Sequence, residues 1–481
     1  MGHMKSVILI LIFTLGIGAN RSPAQVYQIL HSFGSVSRDG SAPSTSLALS
    51  GNTLYGATAS GGTNGNGTIY KINTDGTGYG ILRSLVNSPS PQGGMVVIGD
   101  TLYGTTFTGG EARNGTVFKI NTDGSDFVEL HSFSATVPTV FGANDDGNRP
   151  QGDLATDGYT LYGTARYGGA NGNGTIFKIN IDGSDFEVIK TFSATFLGTN
   201  NVSGSPLASG TNLDGAYPIA GLVLDGNTLY GTTYHGGTSN GVIFSLQTDG
   251  SDFSVLKYFP VTTGSGTNRD GAAPIGGLAL SGDTLFGVAV GGGASGAGNI
   301  FSLKTNGADF TVLREFSWYS DGGWPRNTLL LDGATLYGTT GVGGLSNKGT
   351  IFMVFTNGAN FTVLKDLDLV IGAQCDSRFL VSSNTLYGTA VNGGANGGGV
   401  ILGLTVLPRI LGDARFGFPS NTFGFDFTGI SNQTAVIERC TNLFQPVWSA
   451  RQTNVLMGAP QHFSDTDFTQ SPRAFYRIRS P

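Results

Sequence analysis

Three short motifs recur seven times, in one order, along this chain of 481 residues, and this repetition limits the fold more than any other feature. The first motif is Thr-Leu-Tyr-Gly, with Phe286 in place of the tyrosine in one copy, and its copies begin at Thr53, Thr101, Thr160, Thr228, Thr284, Thr335 and Thr385. Successive copies are 48 to 68 residues apart. A period near 50 residues that holds about four strands is typical of β-propeller blades.

The other two motifs supply further strands of each unit. The second consists of glycine, a small residue, Ile or Val and an aromatic residue, and it begins at Gly67, Gly115, Gly174, Gly241, Gly298 and Gly349. A seventh copy, Gly399 to Leu402, lacks the aromatic residue. The third motif alternates apolar and polar residues, which predicts a half-buried strand. Its copies are Tyr27 to Phe33, Tyr79 to Leu85, Phe127 to Phe133, Phe186 to Phe192, Phe253 to Phe259, Phe310 to Phe316 and Phe361 to Leu367.

We label the predicted strands of each unit A to D. Strand A is the short apolar run before Thr-Leu-Tyr-Gly, strand B begins with that motif, and strands C and D contain the second and third motifs. The A–B connections resemble Asp225-Gly226-Asn227, and the C–D connections resemble Thr122-Asp123-Gly124. Both predict tight hairpins, because glycine accepts a positive φ and Asx residues tolerate the left-handed region.

The two ends of the repeat region complete one unit. The region begins with a lone strand D, Tyr27 to Phe33, and it finishes with strands A, B and C near Leu407. Pairing these ends would remove the two most exposed sheet edges. We therefore predict an all-β protein in which residues 25–407 form a seven-bladed β-propeller closed by its N-terminal strand. Residues 408–481 are predicted to form a small β-sandwich-like domain for attachment or sorting.

The motifs resemble the GloVer-type tandem repeat of secreted and surface proteins from certain bacterial groups, which occurs in choice-of-anchor families. The resemblance rests on Thr-Leu-Tyr-Gly-Thr-Thr, the following Gly-Gly, the Gly-Thr-Ile-Phe-Lys-Ile-Asn strand and the Asp-Gly turn. Copies from Leu54 and Leu161 match almost throughout, whereas Phe286 and Leu402 mark the copies that depart most. The resemblance implies the fold and export, and it implies no reaction.

The tail has its own resemblance, to a β-rich C-terminal segment common on secreted proteins of the same bacteria. The matching residues are Val436 to Leu443, Trp448 and Phe475 to Arg477. Strand-like runs occur at Phe423 to Phe427, Ala435 to Arg439, Trp448 to Thr453 and Ala474 to Arg479. The resemblance implies an attachment or sorting role for this segment.

Residues 1–24 have the pattern of an export signal. Lys5 precedes an apolar run from Ser6 to Gly16, and the small residues Ser22 and Ala24 fit cleavage after Ala24. The run is shorter than the ~20 residues that a membrane span needs. We therefore expect a secreted or cell-surface protein with no transmembrane segment after signal removal.

Charge and cysteine content narrow the function classes. Charged residues make up 12% of the chain, the net charge is −6, and no run of Lys or Arg occurs. This composition argues against nucleic acid and membrane surfaces as partners.

Cys375 and Cys440 fall in different predicted domains, so two buried thiols are favoured over a disulfide, which would require close docking of the domains. We expect a monomer.

Function is expected on the face that carries the B–C and D–A connections, because these vary in length while the other connections are short and uniform. Two adjacent units place Arg166, Tyr167, Tyr234 and His235 there, and a D–A connection adds Trp318 and Trp324. Aromatic rings can stack on sugars, and Arg with His can neutralise a carboxylate. The alternative interpretation is that these aromatic side chains pack beneath their own loops.

The motifs point to binding more than to catalysis. The chain contains no His-Glu-x-x-His, Gly-x-Ser-x-Gly or phosphate-binding glycine loop, so we expect no metal and no cofactor. The recurring Asp-Gly-x-x-Pro element is interpreted as a crossover turn and not as a cation site.

The leading hypothesis is a non-catalytic protein that binds an extracellular glycan or cell-surface component. One alternative is a uronic-acid lyase with Tyr167 or Tyr234 as acid/base and with Arg166 and His235 on the carboxylate. The other is a structural surface protein.

Overall fold

The computed structural model describes residues 25–34, 38–87, 89–137, 142–194, 212–263, 266–411, 423–441, 446–467 and 474–481. All regular secondary structure in these residues is β-strand. The predicted signal segment, residues 1–24, lies outside them, as does most of the long connection from Ser193 to Leu213. The described part of the chain contains no helix able to cross a membrane.

The first half of the described chain contains sixteen strands, which are β1 (Val26–Ser32), β2 (Gly40–Ser41), β3 (Ala48–Ser50), β4 (Thr53–Thr58), β5 (Ser60–Gly61), β6 (Thr68–Asn73), β7 (Gly80–Ser84), β8 (Val96–Ile98), β9 (Thr101–Thr106), β10 (Thr116–Asn121), β11 (Val128–Ser132), β12 (Asn148–Pro150), β13 (Ala155–Thr156), β14 (Thr160–Tyr167), β15 (Thr175–Asn180) and β16 (Glu187–Thr191).

The repeats continue with β17 (Val223–Asp225), β18 (Thr228–Thr232), β19 (Val242–Gln247), β20 (Ser254–Tyr258), β21 (Asn268–Ala272), β22 (Ala279–Ser281), β23 (Thr284–Ala289), β24 (Gly291–Gly293), β25 (Asn299–Lys304), β26 (Thr311–Glu315), β27 (Gly323–Pro325), β28 (Leu330–Asp332), β29 (Thr335–Val342), β30 (Thr350–Phe355), β31 (Thr362–Asp366), β32 (Leu380–Ser382), β33 (Thr385–Ala390) and β34 (Val400–Thr405). The tail contains β35 (Arg409–Ile410), β36 (Phe423–Thr428), β37 (Thr434–Cys440), β38 (Ser449–Val455), β39 (Gln461–Asp465) and β40 (Phe475–Arg479).

The repeat strands pair into antiparallel sheets of the β-propeller type, each with the predicted order A-B-C-D. In the described residues these sheets, numbered 1 to 7, are β3-β4-β6-β7, β8-β9-β10-β11, β13-β14-β15-β16, β17-β18-β19-β20, β22-β23-β25-β26, β28-β29-β30-β31 and β32-β33-β34-β1. The last sheet takes its fourth strand from the beginning of the chain, with Tyr27 opposite Leu404.

The register between strands B and C explains why the first two motifs occur together. The glycine of Thr-Leu-Tyr-Gly lies opposite the aromatic residue of the second motif, as in Gly104 opposite Phe118 and Gly338 opposite Phe352. A Cβ atom on Gly338 would lie 2.6 Å from Phe352 Cζ, so a larger residue cannot occupy this position without moving the ring. The aromatic ring covers the glycine and fills the space above it.

Sheet 7 meets the same requirement in another way. Leu402 replaces the aromatic residue opposite Gly388, and Phe379, which precedes strand A, supplies the ring instead. A Cβ atom on Gly388 would lie 2.6 Å from Phe379 Cε1. Phe379 is fully packed in the buried cluster of this sheet. The departure at Leu402 is therefore compensated by a second departure in the same unit.

Buried clusters lie between consecutive sheets and form the core. Phe192, after strand D of sheet 3, packs against Phe244 in strand C of sheet 4, with ring centroids 5.7 Å apart. The same contact joins Phe133 to Phe177 at 5.3 Å. Each fully buried aromatic side chain contributes several kcal/mol, about 3–5 for Phe→Ala. The core thus consists of repeated sheet-to-sheet contacts.

Strand D of each sheet adds a second contact with its neighbour. A basic or histidine side chain lies over an aromatic ring of the next strand D, at 3.6 to 5.3 Å, in the pairs His31–Tyr79, Arg83–Phe127, His131–Phe186, Lys190–Phe253, Lys257–Phe310, Arg314–Phe361 and Lys365–Tyr27. Such contacts contribute about 0.5–2 kcal/mol each. His31 and His131 therefore take part in the packing of successive sheets.

The tail forms two three-stranded sheets, β35-β36-β39 and β38-β37-β40, with a shared core that includes Phe425, Ile437 and Phe463. The predicted strand runs match β36, β37, β38 and β40, whereas β35 and β39 were not anticipated. The tail contacts the A–B turn of sheet 6, where Thr335 Oγ1 donates to the Gly458 carbonyl at 2.7 Å. Cys375 and Cys440 are both buried, and no disulfide joins them.

We expect Gly338→Ala to lower the free energy of unfolding by about 1–3 kcal/mol, because the added methyl group overlaps the Phe352 ring. Gly80→Ala is the matched control, since a Cβ atom there has no neighbour within 4 Å. Urea unfolding followed by circular dichroism measures both changes. Equal stability of the two variants would contradict the proposed role of the glycine.

Candidate functional site

The aspartate of the Asp-Gly-x-x-Pro turn fastens the five D–A connections that contain this element to the strand before them. Asp146 accepts hydrogen bonds from His131 Nε2 at 3.0 Å and from the Ser134 N–H at 2.9 Å. Asp214 and Asp321 are bound in the same manner by Lys190 at 2.7 Å and by Arg314 at 2.6 Å. These bonds support the interpretation of this element as a crossover turn, and residues 148–150 and 323–325 within it also pair with strand B of their own sheet. No group of three or more His, Cys, Asp or Glu side chains that could hold a metal ion occurs in the described ranges.

The residue before the proline of this turn has a left-handed backbone without being glycine. Its φ is between 54° and 60° at Ala42, Arg149, Tyr217, Ala273 and Trp324. Non-glycine residues in this region carry a cost of about 1–3 kcal/mol and persist only where their surroundings hold them. Here the holding contacts are hydrogen bonds to the preceding sheet, such as Arg149 N–H to Asn114 O at 2.7 Å and Tyr217 N–H to Asn173 O at 2.8 Å.

This pre-proline residue is also joined to the end of strand B in its own sheet. The Tyr234 N–H donates to the Tyr217 carbonyl at 3.0 Å, and the Val290 N–H donates to Ala273 at 3.1 Å. The turn thus presents one side chain beside the residues that follow strand B. Its identity changes from unit to unit while its backbone stays constant.

Four of the predicted site residues come together in the structure. Arg166 and Tyr167 end β14, while Tyr234 and His235 follow β18 in the next sheet. Tyr217 lies between the two pairs, with its ring centroid 5.2 Å from that of Tyr167 and 5.9 Å from that of His235. The rings of Tyr234 and His235 are 3.8 Å apart. We call Arg149, Arg166, Tyr167, Tyr217, Tyr234 and His235 the Tyr217 cluster.

Two guanidinium groups approach one ring in this cluster. Arg166 Cζ lies 5.0 Å from the Tyr167 centroid, and Arg149 Cζ lies 5.7 Å from the same centroid. Arg149 also lies 5.2 Å from the ring of Phe107. Neither arginine forms an ion pair with any carboxylate in the part of the chain that the structure describes. The Tyr217 cluster therefore carries uncompensated positive charge beside aromatic surfaces.

His235 does not add to that charge near neutral pH. Burial lowers its pKa below the usual value for histidine, and the positive charge of Arg166 lowers it further, against a hydrogen bond with the Ser239 backbone that raises it. The imidazole is therefore neutral at pH 7. Burial, together with the charge of Arg166, thus disfavours a cationic His235 as the partner of a carboxylate in the unliganded protein. Arg149 supplies the second positive charge instead.

Tyr217 remains a protonated hydrogen-bond donor over the physiological range. Burial raises the pKa of its phenol, the neighbouring Tyr167 raises it further, and Arg166 acts in the opposite direction. Its ring is half-buried between the two pairs. The cluster thus combines hydroxyl donors, aromatic faces and guanidinium groups, which are the groups that recognise polar, ring-shaped ligands.

Trp318 and Trp324 form a separate pair. Their ring centroids are 5.2 Å apart, and the Trp318 indole Nε1 donates to the Ser295 carbonyl at 2.7 Å. Trp318 packs against the buried cluster between sheets 5 and 6, so it supports its own loop. Trp324 is 38% exposed and has the Arg326 guanidinium 5.5 Å from its ring. Among the described residues, no ring contact connects this pair to the Tyr217 cluster.

Sequence reasoning missed Arg149 and Tyr217 because the Asp-Gly-x-x-Pro element was treated as uniform. The residue before proline is Ala42, Arg149, Tyr217, Ala273 or Trp324. One variable position inside an otherwise constant turn is the signal that could have revealed them, since variable positions on a fixed backbone suit recognition.

A family model described as the Gloeobacter/Verrucomicrobia repeat matches residues 13–213 and 239–409 of this chain. The match covers most of the chain and confirms the resemblance inferred from the motifs. No curated protein matches the chain in sequence.

Several solved structures are similar in shape at low sequence identity. An oligogalacturonate lyase from Vibrio parahaemolyticus is 12% identical, and the match covers 81% of this chain and 95% of that chain with a TM-score of 0.48. A GH74 enzyme from Niastella koreensis is 14% identical over 87% of this chain and 64% of that chain, with a TM-score of 0.42. TolB from Acinetobacter baumannii is 15% identical over 61% of this chain and 58% of that chain, with a TM-score of 0.35. Similarities this weak transfer no activity.

We expect Asp146→Asn to lower the free energy of unfolding by about 1–3 kcal/mol near neutral pH, because it weakens the bonds from His131 and Ser134. Burial alone would raise the pKa of Asp146, but these bonds outweigh it and lower the pKa below the usual value. The contribution is therefore present above the ordinary aspartate pKa and is lost as the pH falls through the lower folded-state value.

The difference between the native chain and Asp146→Asn should accordingly shrink in strong acid. Asp145→Asn is the matched control, since Asp145 is the exposed neighbour of Asp146. Urea unfolding at a series of pH values provides the measurement. A pH-independent difference would show that ionised Asp146 does not hold the turn.

Proposed function

Because the chain belongs to the Gloeobacter/Verrucomicrobia repeat family, we propose that its repeats form the scaffold of a secreted or cell-surface binding protein without catalytic activity. The Tyr217 cluster on the loop face would hold an extracellular glycan. The observation that carries this proposal is the convergence of Arg149, Tyr217 and the predicted site residues on adjacent sheets. Tyr, Trp and Arg are the residues that dominate binding energy in known interfaces.

The scaffold that we propose is a seven-bladed propeller closed by the N-terminal strand. Its support is the pairing of β1 with β34 and the buried cluster that joins Phe33 and Tyr387 of sheet 7 to Leu47 and Tyr70 of sheet 1. The Lys365–Tyr27 contact continues the series of basic-aromatic pairs across the same ends. The pairing covers the edge that β34 would otherwise expose, which suits an extracellular protein.

The other parts of the chain fit the same role. Residues 1–24 would direct export and be removed, and residues 408–481 would serve attachment or sorting. The tail contacts the A–B turn of sheet 6, through the Ser431 N–H to Asp332 at 2.8 Å and the Thr335 bond to Gly458. A–B turns lie at the opposite ends of the strands from the B–C connections. The tail therefore leaves the Tyr217 cluster open to ligand.

One observation favours a lyase in which His235 is the base, in place of Tyr167 or Tyr234, which the sequence hypothesis assigned to that role. The imidazole of His235 is neutral at pH 7 and lies close to Arg166, so a potential base adjoins a cationic group that would bind a carboxylate. Removal of the proton next to a uronic-acid carboxylate requires such a pair. A lyase would release unsaturated oligosaccharides, whereas a binding protein releases none.

Ring closure is tested by combining Val26→Cys with Thr405→Cys, since these residues are opposite each other in the β1–β34 pair. Oxidation should join the two cysteines and raise the melting temperature, because the cross-link closes almost the entire repeat region. Non-reducing electrophoresis and thermal unfolding provide the measurements, with Val26→Cys alone as control. Failure to cross-link under oxidising conditions would contradict a closed ring.

Glycan binding is tested by retention of residues 25–481 on a panel of immobilised polysaccharides. Tyr217→Ala and Tyr234→Ala should each weaken binding at least about tenfold, because each removes an aromatic surface at the centre of the site. Tyr159→Ala is the matched control, since this tyrosine is 77% exposed in an A–B turn away from the loop face.

The outcomes of that panel separate the hypotheses. Retention without released product supports the binding protein. Unsaturated uronic-acid products detected by mass spectrometry would replace it with the lyase. If no polysaccharide is retained, or if Tyr159→Ala weakens binding as much as Tyr217→Ala, the proposed site is wrong.

A further inference from the structure

The geometry points to a carboxylate-bearing polysaccharide, one that contains uronic acid residues, as the ligand of the Tyr217 cluster. This inference rests on the proposed function and specifies its ligand class. It follows from the aromatic rings beside Arg149 and Arg166 and from the hydrogen bonds that occupy the turn aspartates Asp146 and Asp214.

No carboxylate of the described protein pairs with the guanidinium group of Arg149 or Arg166. Other basic side chains pair with the aspartates of the turns. Lys190 in a strand D forms an ion pair with Asp214, and Arg314 forms one with Asp321. Arg149 and Arg166, by contrast, lie over aromatic rings, and their guanidinium groups form no hydrogen bond or ion pair in the described structure. A guanidinium group held this way keeps its hydrogen-bond donors available to a planar carboxylate.

The turn aspartates that precede Arg149 and Tyr217 do not compensate this charge. Asp146 accepts bonds from His131 and Ser134, and Asp214 accepts bonds from Lys190 and Ser193. Both carboxylates are therefore committed to fastening their turns. The positive charge of the cluster is left for a ligand.

Arg166 also carries an unsatisfied donor. Its Nε is buried and has no hydrogen-bond partner in the structure. An unsatisfied buried donor costs about 1–3 kcal/mol. The half-buried rings of Tyr217 and Tyr234 belong to the same cluster and offer flat surfaces to a sugar ring.

The net charge of the chain does not favour binding of an acidic polysaccharide. The chain has a net charge of −6, so its general field repels polyanions. Binding of an acidic polysaccharide must then depend on specific arginine contacts. A change of either arginine should have an effect that a change of another exposed arginine does not.

The test compares three acidic polymers with their own neutral derivatives. Isothermal titration calorimetry measures binding of residues 25–481 to polygalacturonate, alginate and hyaluronan, and to the methyl ester of each. We expect at least one acid form to bind about tenfold or more tightly than its ester, because each charge-assisted bond to arginine is lost on esterification.

Arg149→Gln and Arg166→Gln should each reduce that preference by about tenfold, since glutamine keeps polarity but removes the charge. Arg451→Gln is the matched control, because Arg451 is an exposed arginine in β38 of the tail. Circular dichroism establishes that the variants fold. Arg149 is exposed, so its variant keeps the test decisive even if Arg166→Gln is unstable.

A second measurement locates the ligand. In nuclear magnetic resonance titrations, a bound carboxylate should raise the pKa of His235, because a negative charge beside Arg166 offsets the effect of the guanidinium. A neutral ester should leave that pKa unchanged.

Each other outcome is informative. If a glycan binds but acid and ester forms bind equally, the proposed function stands and the carboxylate inference is overturned. Equal binding of dextran sulfate would show general anion attraction and would also overturn it. If neither these polymers nor any neutral glycan binds, the proposed function fails as well.

Discussion

In six of the seven sheets, a glycine in strand B faces an aromatic ring in strand C, and the ring occupies the space that a side chain on the glycine would fill. In five of these six sheets the same ring packs against an aromatic residue of the preceding sheet, as Phe177 does with Phe133, and in sheet 2 Phe118 meets Leu85. One contact therefore fixes both the register within a sheet and the spacing between sheets. The compensation by Phe379 in sheet 7 shows that the space must be filled whichever strand provides the ring.

This repeated contact allows the loops to vary. The sheets obtain their stability from buried clusters and from basic-aromatic pairs between successive D strands, and none of these contacts involves the pre-proline side chain. The turn backbone is held by its aspartate and by hydrogen bonds to the preceding sheet. A left-handed residue such as Arg149 or Tyr217 can then change identity with little effect on the fold.

Much of the fold could be predicted because its signals are local. Glycine turns, alternating strands and the constant spacing of motifs all appear within a few residues of sequence, and strands A to D occur where the motifs place them. The site was predicted only in part. Arg166, Tyr167, Tyr234 and His235 come from equivalent positions of adjacent repeats, so the repeat itself brought them together. Arg149 and Tyr217 come from a different connection, and their proximity depends on how that connection pairs with strand B.

The sequence by itself determined the repeated unit, its strand order and the turns, because each of these depends on residues close together in the chain. Only the tertiary structure decided which side chains carry charge and which remain available to a ligand. The neutral state of His235 results from burial and from Arg166 in the neighbouring sheet, and the support that Trp318 gives its loop results from a carbonyl 23 residues away. Such properties arise from contacts between sheets, and the separation of these residues along the chain does not encode them.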